Sequence, residues 1–199
     1  AHLFFSQLNT ARAAILDCID ICCNLVPTAC LHVTVADLIS GAHFEARCAA
    51  QPNLEARLRA RIETILAEQP MSDAPLEWRV SGLAFFKSAL VAVLTPASER
   101  DYEPIRRLRD TIYGDDRIIE LGVKRPLPFL AHVTLAYYED VPALDVRKGW
   151  IEKYKALQAE LRQVNGSFII EQLDLRWFQD MTCYHRYTPN VGIRFGADV

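Results

Sequence analysis

The chain has 199 residues and a formal net charge of -3, with 51% hydrophobic and 24% charged residues. That is room for one domain, or for two small lobes sharing a core, and so much apolar surface excludes a largely disordered chain. No apolar run reaches the roughly 20 residues of a membrane span. The charge balance excludes a general DNA coat or a polybasic membrane binder, but permits a small anionic substrate held by a few local cations.

Ala1 opens the chain, and no basic segment, apolar run and small-residue cleavage pattern follow it. Six cysteines stand at positions 18, 22, 23, 30, 48 and 183. Cys22 and Cys23 are adjacent and no CxxC pair exists, so neither a disulfide framework nor a structural zinc site is expected. The cysteines read as buried, reduced thiols of a cytoplasmic protein.

Residues 10–23 read as a helix capped by Asn9 or Thr10, with Ile15, Ile19 and Cys22 at helical spacing and Pro27 beyond; Ile19 to Leu25 also fits a strand. Residues 29–37, ACLHVTVAD, alternate and predict a strand. A long loop through Gly41 spans Ala36 to Gln51. Pro52 then opens an amphipathic helix whose stripe is Leu54, Leu58, Ile62, Ile65 and Leu66, stopped at Gln69-Pro70. Leu76, Trp78 and Val80 alternate with polar residues as a half-buried strand, and Ala89 to Thr95 is a buried strand ending at Pro96. A helix starts near Asp101, tolerates Pro104 in its first turn, turns Tyr102, Ile105 and Leu108 inward and ends at Gly114. Residues 129–138, FLAHVTLAYY, predict another strand. Asp145 caps a long helix carrying Trp150, Tyr154, Leu157, Leu161 and Val164, closed by Asn165-Gly166. Residues 168–178 and about 190–195 finish as strands.

The order repeats. Each half reads helix, strand with a histidine, helix, strand, strand, the first over about 10–95 and the second over about 101–195. The expected fold class is therefore α+β, a bilobal duplicated fold within one domain spanning 1–199. Two small, mostly antiparallel sheets face a central cleft, with helices outside.

One tripeptide recurs at equivalent places in the repeat: His32-Val33-Thr34 and His132-Val133-Thr134. With nine threonines scattered at random, two of the five histidines would have Thr at +2 only about one time in fifty. Residues i and i+2 of a strand share a face, so each strand shows a His and a Thr on one face and packs its odd-numbered neighbours on the other. Two such faces across a cleft suit a phosphodiester. Imidazole titrates near pH 6.5, so one ring can be neutral and take a proton while the other is charged and gives one. The hydroxyls donate to the non-bridging oxygens, where charge builds up. No metal or other cofactor is required, and the paired spacing and local carboxylates of a metal hydrolase are missing.

Paired His-x-Thr motifs, HVTV and HVTL, placed 100 residues apart on duplicated strand–helix units and supported by Tyr137-Tyr138, resemble the 2H phosphoesterase superfamily. This includes the RNA 2′,3′-cyclic phosphodiesterases once called 2′-5′ RNA ligases. The resemblance implies a phosphoric diester hydrolase of the cyclic phosphodiesterase type. His32 and His132 would be its acid and base, and Thr34 and Thr134 its phosphate holders. The expected partner is a small nucleotide or RNA-end phosphoester, and the chain is expected to act as a monomer, with no membrane and no general DNA binding. Two readings differ in kind: a non-catalytic nucleotide or RNA-end binding module on the same fold, and a cysteine or serine hydrolase, which no GxSxG-like motif supports.

Other residues carry weaker signals. Tyr138 shares the face of His132 and Thr134 if the strand stays regular, so it is a candidate to stack on a base. His43 reads as a solvated loop histidine, and His185 and Arg186 as part of a surface turn with an arginine able to fork onto a phosphate. Arg57, Arg59 and Arg61 read as a solvated helix face, as do Arg106, Arg107 and Arg109. Lys87 and Lys124-Arg125 are weak phosphate candidates beside the cleft.

Overall fold

The apolar run from Ala89 becomes the middle of the sheet. In the computed structural model, β3 (Ala89–Pro96) is third of five strands in the order β1-β4-β3-β2-β5. Its residues 89 to 92 and Leu94 are buried, as a strand paired on both edges and covered on both faces requires. The structure describes residues 8–10, 12–14, 16–17, 22–39, 42–70, 72–125, 128–161, 167–180 and 183–196. Ile15, Ile19, Cys18, Gly41, Val164 and Asn165-Gly166 lie outside the described residues.

The other strands of this sheet are β1 (Cys23–Leu25), β2 (Leu76–Phe85), β4 (His132–Tyr138) and β5 (Ser167–Ile170), and every neighbouring pair is antiparallel. Strands from both halves of the repeat therefore share one sheet. Two further antiparallel pairs follow: β6 (Gln172–Asp174) with β9 (Gly192–Arg194), and β7 (Arg176–Asp180) with β8 (Cys183–Arg186). The class is α+β, as the element order implies.

The helices are α1 (Ala42–Ala50), α2 (Leu54–Glu68), α3 (Glu99–Gly114), α4 (Asp116–Glu120) and α5 (Leu144–Leu161). Residues 8–10, 12–14 and 16–17 are also helical. The α2 stripe is buried as read, Leu54, Leu58, Ile62, Ile65 and Leu66 all joining the core. Ser98 precedes α3, whose buried Asp101 accepts a hydrogen bond from the Glu77 backbone N–H at 2.8 Å and so ties the helix to β2.

Three local expectations change. The stretch from Ala36 to Gln51 is not all loop: AHFEARCAA is rich in strong helix formers and makes α1. Residues 29–37 are not a laddered strand. A 3₁₀ turn covers Thr28–Cys30, and the extended chain after it makes one isolated antiparallel bridge, Val33 to Val133. β1 already occupies the far part of the β4 edge, and the chain leaves that edge at Pro27 before returning at Val33. The run 168–178 is split among three pairings, because β5 joins β2, β6 joins β9 and β7 joins β8; alternation does not encode a partner.

The described cysteines are free thiols, and the expectation that they are buried is corrected: Cys22 and Cys183 are exposed, and Cys23, Cys30 and Cys48 are half-buried. Among the described residues no helix is long and apolar enough to cross a membrane.

Candidate active site

The Val33–Val133 bridge sets the register of the two motifs. One residue to either side, His32 lies across from Thr134 and Thr34 across from His132, all four on the face opposite the valines. A half-turn about the valine pair exchanges the two motifs. Directly opposed Cβ atoms stand about 5 Å apart and diagonal ones about 7–8 Å. The two histidines occupy a diagonal, which leaves space for one tetrahedral phosphorus group between the rings.

Burial follows the alternation in the second motif, where Ala131, Val133 and Leu135 are buried and His132 and Thr134 half-buried. In the first, Leu31 is buried and Thr34 exposed, but Val33 and Val35 are half-buried like His32 and also line the cleft. All four polar residues line one cleft of about 830 Å³. A smaller hollow of about 410 Å³, lined by Gln69, Arg100, Glu103 and Arg107 among others, contains neither motif.

Both imidazoles are anchored in the same way. His32 Nδ1 lies 2.7 Å from the Cys30 carbonyl oxygen, and His132 Nδ1 lies 2.7 Å from the Leu130 carbonyl oxygen. A carbonyl only accepts, so each Nδ1 carries a hydrogen and donates it two residues back along its own chain. Each Nε2 is thereby left for other work. The flanking rings differ. Tyr184 of β8 lies 4.0 Å from His32 between centroids and is itself 5.0 Å from Phe178 of β7, while Phe86 lies 5.1 Å from His132.

The surroundings of His32 disfavour its charged form. Burial lowers its pKa most; the Cys30 carbonyl opposes this, and the nearby His132 and Arg176 reinforce it. Arg176 lines the cleft and is held at 2.8 Å by Asp174, which also takes Arg186 at 3.1 Å. Burial raises the pKa of the Tyr137 phenol, and the neighbouring Thr134 side chain opposes that shift.

His32, Thr34, His132 and Thr134 thus come together, but Tyr138 does not join them. The β3–β4 register passes from Leu90–Ala136 to Val91–Thr134, leaving Leu135 as an extra residue on β4. A bulge of this kind slips the alternation by one. Tyr137 therefore lines the cleft, and Tyr138 is buried against Trp150, with ring centroids 5.6 Å apart.

Phe86, Arg176, Phe178 and Tyr184 were not singled out in the sequence. Tyr184 lies inside the CYHRYT stretch that reads as a turn, and the β7–β8 hairpin is what swings it onto His32. His43 is exposed on α1. His185 stacks on Trp177 at 4.3 Å and, like Arg186, does not line the cleft. Lys87 and Lys124 are exposed outside it, and Arg125 pairs with Asp110. Arg57 is exposed, while Arg61 pairs with Asp115 and Arg59 donates to the Pro189 carbonyl at 3.2 Å. The solvated reading of Arg106 and Arg107 fits their exposure, but Arg109 is a correction: it faces inward and is 5% exposed. Among the described residues, no group of three or more His, Cys, Asp or Glu side chains is placed to hold a metal ion.

These features define a class: an α+β protein with two His-x-Thr segments paired beneath one cleft. The profile of the 2′-5′ RNA ligase superfamily matches residues 24–180, and the chain belongs to that superfamily, the 2H phosphoesterases. Among solved structures, a conserved protein of unknown function from Agrobacterium tumefaciens strain C58 is similar, at 18% identity and a TM-score of 0.62, covering 92% of this chain and 77% of that one. At that identity the likeness shows the fold alone. Among the curated proteins compared, none matches this chain.

Proposed function

We propose that the chain hydrolyses 2′,3′-cyclic phosphates or related nucleotide and RNA-end phosphoesters by two-histidine acid–base catalysis. The observation that carries this reading is the duplicated anchoring, each Nδ1 held by the carbonyl two residues before it and each Nε2 left free of that bond.

His32 is the base. Burial, His132 and Arg176 favour its neutral form, so Nε2 has a lone pair to take a proton from water. The water oxygen bonds to phosphorus and the bond from phosphorus to the leaving ribose oxygen breaks. His132 supplies the proton that oxygen needs. His32 ends the turnover charged and His132 neutral, and exchange with solvent restores both. Thr34 and Thr134 donate to the non-bridging oxygens as their charge grows. Asp174 steadies Arg176 beside the site, where its charge adds to the burial that disfavours charged His32 and attracts the anionic substrate.

The test is hydrolysis of a nucleoside 2′,3′-cyclic phosphate in EDTA. Turnover is expected to persist in chelator and to fall on the order of 10²–10⁴ in His32→Ala and in His132→Ala. Turnover that vanishes in EDTA and returns with zinc or manganese would refute the mechanism. Nucleotide binding without turnover would replace it with the binding-module reading.

A further inference from the structure

The first motif has little ladder to hold it. Among the described residues, its one sheet pairing is the Val33–Val133 bridge. Side chains of α3 supply what the ladder does not. Arg109 donates to the Val35 carbonyl, and the Tyr113 hydroxyl donates to the Asp37 carbonyl at 3.0 Å. Those carbonyls follow Thr34 by one and three residues. The same guanidinium lies over the Phe129 ring, 4.3 Å from its centroid, and 5.2 Å from the Tyr113 centroid. Phe129 stands three residues before His132.

Arg109 is therefore in contact with the exit of one motif and the approach to the other. It is 5% exposed, lines the cleft, and forms no ion pair among the described residues. Exposed Arg106 on the same helix pairs with Glu103 and Asp110. A buried guanidinium without a carboxylate carries a desolvation penalty, here offset by a carbonyl and two aromatic faces. Its shape suits that setting, because the plane stacks while the edge donates, which an ammonium group does not reproduce.

We propose that Arg109 is a positioning residue, a clamp from α3 that holds His32-Val33-Thr34 in register with His132-Val133-Thr134. The proposal rests on the two-histidine reading of the cleft.

The test compares the full chain with Arg109→Met, Arg109→Lys and Tyr113→Phe, each at a temperature where its melt shows it folded. Two readouts are taken. One is kcat and KM on a nucleoside 2′,3′-cyclic phosphate. The other is the imidazole NMR signals of His32 and His132 as inorganic phosphate is added. In Arg109→Met, kcat is expected to fall on the order of 10², the scale of a misplacement of about 1 Å. KM should change far less, and Arg109→Lys should recover part of the loss. Phosphate should move both histidines together in the parent chain, but His132 more than His32 in Arg109→Met. Parent-like kcat in Arg109→Met, or both histidines still responding alike, would overturn the clamp. If the parent chain turns nothing over, the catalytic reading falls while the phosphate titration still decides the clamp. If phosphate moves neither histidine in the parent chain, the clamp falls as well. Should Arg109→Met fail to fold, Arg109→Lys and Tyr113→Phe carry the same readouts, with smaller losses expected.

Discussion

Substituting the two adjacent tyrosines of β4 separates the bulge from a regular strand. A regular strand places Tyr138 in the cleft with His132 and Thr134; the bulge at Leu135 places Tyr137 there. Tyr138 is 8% exposed and packs on Trp150. Tyr138→Ala removes a buried aromatic side chain and leaves a cavity, which costs about 3–5 kcal/mol. For a domain of this length that is a fall in Tm on the order of 10 °C. Since Tyr138 reaches no cleft group, kcat per folded molecule stays at the parent value. Tyr137→Phe does the reverse. It deletes the polar hydroxyl beside Thr134 and keeps the ring in the cleft. One hydrogen bond is worth about 1 kcal/mol, so kcat falls by roughly tenfold or less while Tm stays within a few degrees. The assays are thermal unfolding and turnover of a cyclic nucleotide, corrected for the folded fraction. Loss of kcat per folded molecule in Tyr138→Ala, with Tyr137→Phe silent, would refute the bulge and the side-chain assignment built on it.

The rate against pH should be bell-shaped, with its acid limb below the usual imidazole value of about 6.5, because burial and its charged neighbours hold the His32 pKa down. The same shift sets a stability window. The folded chain binds fewer protons at His32 than the unfolded chain, so the neutral ring's contribution is complete above about pH 6.5 and is lost on acidification; His32→Gln should flatten Tm against pH there, and an unchanged slope would count against the burial argument. Thr34→Val and Thr134→Val should each lower kcat on the order of 10² by deleting a donor to the developing charge, and parent-like turnover in either would remove that residue from the site. Asp101→Ala leaves the Glu77 N–H without its acceptor, at a cost of about 1–3 kcal/mol, so Tm should fall by several degrees with kcat unchanged, and an unmoved melt would show that this carboxylate does not brace α3.

Patterning within single elements was readable before any tertiary contact was known. The α2 stripe and the burial of Leu31, Ala131 and Val133 beside the motifs follow from side-chain period, because period decides which residues share a face, and the buried run of β3 follows from its unbroken apolar composition. The repeated His-Val-Thr belongs here too, since its i, i+2 spacing is a local property. Pairing was not readable. No periodicity states that Val33 meets Val133, that β4 carries an extra residue, or that the β7–β8 hairpin brings Tyr184 onto His32. Arg109 shows the limit most plainly. In the sequence it is one of three arginines on a polar helix face; in the fold, its rotation about the α3 axis points it at Val35 and Phe129, while Arg106 faces solvent acids. Which way a helix face turns depends on what packs against it, and Val35, which takes the Arg109 hydrogen bond, lies 74 residues away in the chain; local period put each His and Thr on a common face, and only tertiary contact brought the two pairs together and arranged the shell around them.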